Sequence, residues 1–183
     1  MTDVMEQAHG LAETYEEAMA KFRASLVDTR RHWLAYTLTQ YPHRDVLQVV
    51  AETARHTVNS DAVEINAIYD DRQVTVALSP DGPHATILAG DSLCALTVAI
   101  GRPLAVDDIK HDHFLEHHSA RSTAWGSWAS APLTIQGHVV GSLCALERHE
   151  RSWAVEDERV LTSMADELRA EVGRWIDSLD RRW

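Results

Sequence analysis

Nowhere in this 183-residue chain do about 18 apolar residues follow one another, so no membrane-crossing helix is expected. The opening MTDVMEQAHG is acidic rather than basic and apolar, which argues against a secretion signal and for a cytoplasmic location. Cysteine is nearly absent: Cys94 and Cys144 stand far apart and form neither a CxxC metal spacing nor the framework of a small secreted domain. A reducing compartment is expected. Positive charge is scarce too, with 17 lysines and arginines against 28 acidic side chains and a formal net charge of −11. Such a field repels phosphate backbones, so no nucleic-acid partner is expected. The length suits one domain with a sizeable core.

What is present is periodicity. Met5, Ala8, Ala12, Tyr15, Met19, Phe22, Leu26, Thr29, Trp33 and Tyr36 follow alternating steps of three and four, a heptad seam that needs a partner. The spacing predicts one long helix that Pro42 ends, then a second helix from about His43 with Leu47, Val50, Ala51, Ala54 and Val58 on one stripe. From Ala62 the period becomes two. Val63, Ile65 and Ala67 alternate with Glu64, Asn66 and Ile68, giving a strand with one polar-leaning face, and YDDRQ turns it back into Val74, Val76 and Leu78. A long loop from SPDGPH to Gly90 follows, of the kind that borders binding sites.

Asp91 or Ser92 can cap a short helix LCALTVAI, stopped by Gly101 and Pro103, and PLAVDDI reads as a short strand. HDHFLEHHS suits a helix of one or two turns. A strand from about Thr123 to Ile135, a QG turn and a strand from His138 to Arg148 make a second hairpin. The last segment places Val160, Leu161, Met164, Leu168, Val172, Trp175, Ile176, Leu179 and Trp183 on the apolar stripe of a long amphipathic helix. This order is α+β with an antiparallel sheet.

Three segments carry a family resemblance: Ser92-Leu93-Cys94 running into Gly101 to Val106, then Ala131-Pro132-Leu133, then Gly141-Ser142-Leu143-Cys144 before the closing helix. Together they resemble GAF domains of bacterial signalling proteins, over roughly residues 45–171. The resemblance implies a six-stranded antiparallel sheet. It places the long N- and C-terminal helices on one face and short helices over a small-molecule pocket on the other. Residues 1–41 would be a dimerisation helix and 42–183 the GAF domain. The resemblance names no cofactor, since such domains host cyclic nucleotides, haem, bilins, amino acids or nothing. Ala154 departs from the family in standing where Ser or Thr usually caps the last helix.

Each chemical constellation competes with a plainer reading. Cys94 and Cys144 sit among apolar neighbours, as core thiols do, whereas a catalytic thiol needs exposure and a cationic neighbour. The GAF-fold methionine-sulfoxide reductases place reactive cysteines on loops, so an enzyme is not expected here. His111, His113, His117 and His118 cluster with Asp112 and Glu116, but a structural zinc site needs about four ligands, so a solvated surface is the expectation. His117, beside Phe114, would point inward and serve as the axial ligand if haem were bound. Trp125 and Trp128 lie three apart in the expected strand, on opposite faces, so at most one should line the pocket while the other meets the terminal helices. Asn66, Lys110 and Phe114 do not reproduce the N-K-x-F-D-E set of cyclic-nucleotide GAF domains, and the attachment cysteine for a bilin is missing.

The expected protein is therefore a stand-alone sensory module that forms a homodimer and passes its state to a separate output protein. Leu93, Thr97, Val106, Phe114, His117, Ser127 and Trp128 are expected to line its pocket. Met5, Ala12, Tyr15, Met19, Phe22, Leu26 and Trp33 are expected at its dimer interface. The alternatives are a haem or redox sensor using His117, and a structural dimer whose pocket is degenerate.

Overall fold

A computed structural model describes residues 15–181. Within them the helices are α1 (Tyr15–Ser25), α2 (Thr29–Thr39), α3 (Arg44–Val58), α4 (Leu93–Ile100) and α5 (Val155–Asp180). The strands are β1 (Ala62–Tyr69), β2 (Arg72–Ser79), β3 (Thr86–Leu88), β4 (Leu104–Val106), β5 (Ser127–Ile135) and β6 (His138–Glu147). They form one sheet in the order β3-β2-β1-β6-β5-β4, antiparallel at every pairing. This is the six-stranded α+β architecture that the sequence predicts. Three-residue β3 falls inside the segment expected to be loop, too short to show a period.

The strands alternate between two apolar layers. Val63, Ile65, Ala67, Ala129, Ala131, Leu133, Leu143 and Ala145 face a layer built with Leu34, Leu38, Leu47, Leu161, Leu168 and Ile176 of α2, α3 and α5. Ile68, Trp128, Cys144 and Leu146 face the opposite way, toward α4. The buried stripe of α5, Leu161, Ala165, Leu168, Val172 and Ile176, follows the expected helical spacing. Ala154 offers no side-chain cap there, and the Asp157 carboxylate instead accepts its backbone N–H at 3.0 Å.

The single N-terminal helix predicted from the heptad seam is not formed. Asp28 interrupts it: its carboxylate accepts from the backbone N–H groups of Arg30 and Arg31 at 3.0 and 3.1 Å, a local bond that starts a new helix. The consequence is large. Helix α2 lies with α3 and α5, whereas α1 joins α4 on the other face of the sheet, where Met19 and Phe22 are each only 2% exposed. These two seam residues are therefore covered within one chain and are not available to a twin. Of the remaining interface residues, Tyr15, Leu26 and Trp33 are half-buried against the same chain, and Met5 and Ala12 lie outside the described residues.

Arg31 ties α2 to the sheet end, its guanidinium donating to the carbonyls of Val139 and Ile68 at 3.0 Å each. Its charge stacks 5.8 Å from the Phe22 ring, so one side chain joins α1, α2, β1 and β6.

Candidate functional site

The polar-leaning face of β1 lies beneath α4. Strand register sets Glu64, Cys144 and Ser130 in one row across β1, β6 and β5, and Thr75, Asn66 and Ser142 in the next row across β2, β1 and β6. Helix α4 closes over these rows with Cys94 and Thr97, and Ser92 caps it by accepting from the Ala95 N–H at 3.3 Å. Apolar Ile68, Leu93, Leu96, Trp128 and Leu146 surround the polar rows, and α1 covers α4 from outside.

A hydrogen-bond chain runs through this layer. Asn66 Nδ2 donates within reach of Glu64 Oε2 at 3.3 Å and of the sulfurs of Cys94 and Cys144 at 3.4 Å each. Gln73 Nε2 donates to Asn66 Oδ1 at 3.1 Å, and the Ser92 hydroxyl donates to Gln73 Oε1. Thr97 and Ser130 share a further hydroxyl bond between α4 and β5. Burial holds the Glu64 carboxyl above the ordinary carboxylate range, which its bond from Asn66 only partly opposes. The hydroxyls of Thr75 and Ser142, both on this face, are buried with no protein partner. Buried polar atoms are normally paired, so these two mark places where a water or a ligand atom would be stabilised.

Five of the seven expected lining residues come together here. Leu93, Thr97, Val106 and Trp128 are buried in the layer, and half-buried Phe114 packs on it. Two do not. Ser127 precedes Trp128 in β5, so alternation turns its side chain to the opposite face. His117 is exposed, because HDHFLEHHS forms two separate 3-10 turns, His113–Leu115 and Ser119–Ser122, instead of a helix with one inward stripe. The inward histidine is His118, 4% exposed. Its Nδ1 accepts from the Ala120 N–H at 2.9 Å, its Nε2 has no protein partner, and its ring meets the Tyr15 ring edge-on at 5.3 Å. Burial lowers its pKa against an opposing pull from Asp91. His113 is likewise exposed, and His111 pairs with Asp108 at 2.7 Å. Among the described residues no group of three or more His, Cys, Asp or Glu side chains is placed to hold a metal.

Trp125 packs on the same layer as Trp128, contrary to the expectation that they take opposite sides. Strand β5 begins only at Ser127, so Trp125 lies outside it and strand alternation does not govern its side chain. Sequence reasoning also passed over Gln73, Ser92, Ser130 and His118 as site residues. The signal that could have found the floor was the polar face of β1, Glu64 and Asn66 in an otherwise apolar strand. A cleft of about 720 Å³ lies elsewhere, between α3 and the β2–β3 edge, lined by Arg44, Gln48, Tyr69, Val76, Asp81 and His84 among others. Arg44 is already engaged there by the carbonyls of Val76 and Thr39. No helix among the described residues is long and apolar enough to cross a membrane.

Solved structures share the fold. The chain superposes on the GAF domain of a phosphoenolpyruvate-protein phosphotransferase from Coxiella burnetii with a TM-score of 0.63 and 16% identity, covering 90% of this chain and 97% of that one. Free methionine-R-sulfoxide reductase from Neisseria meningitidis gives 0.60 and 21%, covering 88% and 91%. The GAF-B domain of DevS from Mycobacterium smegmatis gives 0.57 and 19%, covering 76% and 98%. Among curated protein sequences none matches. The family model for the GAF domain matches residues 42–172, most of the chain, and the protein belongs to the GAF domain family.

Proposed function

We propose that the protein is a non-enzymatic sensory GAF module whose ligand site is the polar layer between the sheet and α4. The buried chain Glu64–Asn66–Gln73–Ser92 carries this reading. It costs desolvation to build and it ends on the cap of α4, so a small polar molecule that re-pairs Asn66, Thr75 or Ser142 would shift the helix above it. The listener to that shift is α1, which rests on α4 and leads through Asp28 and Arg31 to α2. A reductase activity is not part of this reading, since both cysteines lie in the buried layer rather than on loops.

A structural module with a degenerate pocket is the second reading, favoured by one observation: Met19 and Phe22 pack into this same layer and occupy space a ligand would use. A haem sensor built on His117 finds no support from an exposed side chain. Pairing of two copies would draw on the outer sides of α2 and α5, where Tyr36 is 47% exposed and Trp33 and Trp175 are half-buried.

Native mass spectrometry of protein purified from its own host tests the leading reading. A discrete small-molecule increment is expected, lost in Asn66→Leu. A bare polypeptide mass, together with no ligand-dependent rise in Tm across a metabolite panel, favours the degenerate pocket. The same spectrum reports one copy or two.

A further inference from the structure

The two cysteines are 50 residues apart in sequence and belong to different elements, yet Cys94 Sγ of α4 lies 3.3 Å from Cys144 Sγ of β6. Both are free thiols. Asn66 Nδ2 lies 3.4 Å from each sulfur, so one amide holds the pair in register. Two sulfurs in van der Waals contact need to approach by only a little over 1 Å to reach the bond length of about 2.05 Å. We infer that Cys94 and Cys144 are a built-in dithiol that closes to a reversible disulfide, locking α4 onto the sheet.

The oxidant required is a hydroperoxide. Cys94, the less buried thiol, attacks the terminal peroxide oxygen; the O–O bond breaks, the alcohol leaves with the thiol proton, and Cys94 becomes a sulfenic acid. Cys144 then attacks the Cys94 sulfur, the S–O bond breaks, and the hydroxyl departs with the Cys144 proton as water. Two electrons pass from the sulfurs to the peroxide, and a dithiol reductant reverses the change. The hydrogen bond that the Cys144 thiol shares with Cys94, together with burial, keeps it well above the ordinary thiol range, so closure is slow at neutral pH and accelerates as pH rises. Disulfide formation removes the thiol groups that face Asn66, and Asn66 leads through Gln73 to Ser92 at the cap of α4. The oxidation state is thereby written into the position of α4. This inference does not depend on whether the layer binds a ligand.

The test uses the whole protein treated with hydrogen peroxide and then denatured with a thiol-blocking reagent. The expected result is a mass loss of about 2 Da, no blockable thiols, a tryptic peptide joining Cys94 to Cys144, and full reversal by dithiothreitol. Closing a loop of this length should raise Tm by roughly 10 °C. Cys94→Ser and Cys144→Ser should each abolish the mass loss and the Tm gain. The cross-linked peptide from wild type decides the matter even where a variant folds poorly. Retention of two blockable thiols after treatment that fully oxidises free glutathione would overturn the inference. So would gains of 32 Da on single cysteines without a cross-linked peptide.

Discussion

Gly141 of β6 and Asn66 of β1 approach so closely that a Cβ added to Gly141 would run into the Asn66 carbonyl oxygen and lie 2.9 Å from its carbonyl carbon. The contact is backbone on backbone between two central strands, which cannot swing aside as a side chain can. Gly141→Ala should cost about 3 kcal/mol by forcing β1 and β6 apart. Urea denaturation reads the loss, and a midpoint unchanged from wild type would contradict the close approach. Because Asn66 is the hub of the buried polar chain, the damage should reach the α4 cap as well.

Phe22 is a core residue of the single chain. Phe22→Ala should therefore cost about 3–5 kcal/mol, the range for deleting a buried aromatic ring. Met19→Glu with Phe22→Glu should lower Tm steeply whatever the oligomeric state, since the charges enter a layer of Leu93, Leu96 and Trp128. Light scattering alongside calorimetry separates the effects. A double variant that keeps the wild-type Tm but changes mass would place these residues at an interface between copies instead.

Glu64 should act against the fold at neutral pH. Burial raises its pKa in the folded protein, so stability falls as pH climbs from the unfolded carboxyl pKa, about 4.3, through the raised folded value. Glu64→Gln removes the charge and keeps an acceptor for Asn66. Its Tm should exceed wild type at pH 7, and the advantage should disappear below about pH 4. An equal Tm at pH 7 would mean that the carboxylate is well solvated.

His118 should tilt stability the other way. Burial lowers its folded pKa, so the unfolded chain takes up the proton first, below about pH 6.5. Stability is complete above that pH and declines as the medium is acidified toward the lowered folded value. Protonation would also cost Nδ1 its bond from the Ala120 N–H. Urea midpoints between pH 7.5 and 5.0 should fall with acidity in wild type and fall less in His118→Gln; parallel curves would refute the assignment.

Much of this molecule was legible in its residues. Period two in Val63, Ile65 and Ala67 and period 3.6 in Leu161, Leu168, Val172 and Ile176 assign β1 and α5, because each element must bury one face. The GAF-like runs at Ser92, Gly101 and Ala131 implied the six-stranded antiparallel sheet that lies between them. Local chemistry misled where two readings shared one pattern. The heptad spacing of Met19, Phe22 and Leu26 suits a partner helix or a sheet face equally well, and the interrupting Asp28 is a short-range competitor that periodicity does not weigh.

The sequence by itself determined the α+β order, the two apolar faces of the sheet and the polar bias of β1, since these follow from the spacing of neighbours along the chain. Tertiary structure alone decided that α1 crosses to the α4 side, that His118 and not His117 turns inward, and that Cys94 meets Cys144. Those outcomes depend on contacts between residues far apart in sequence. Strand register and helix rotation set them, and no local period encodes either.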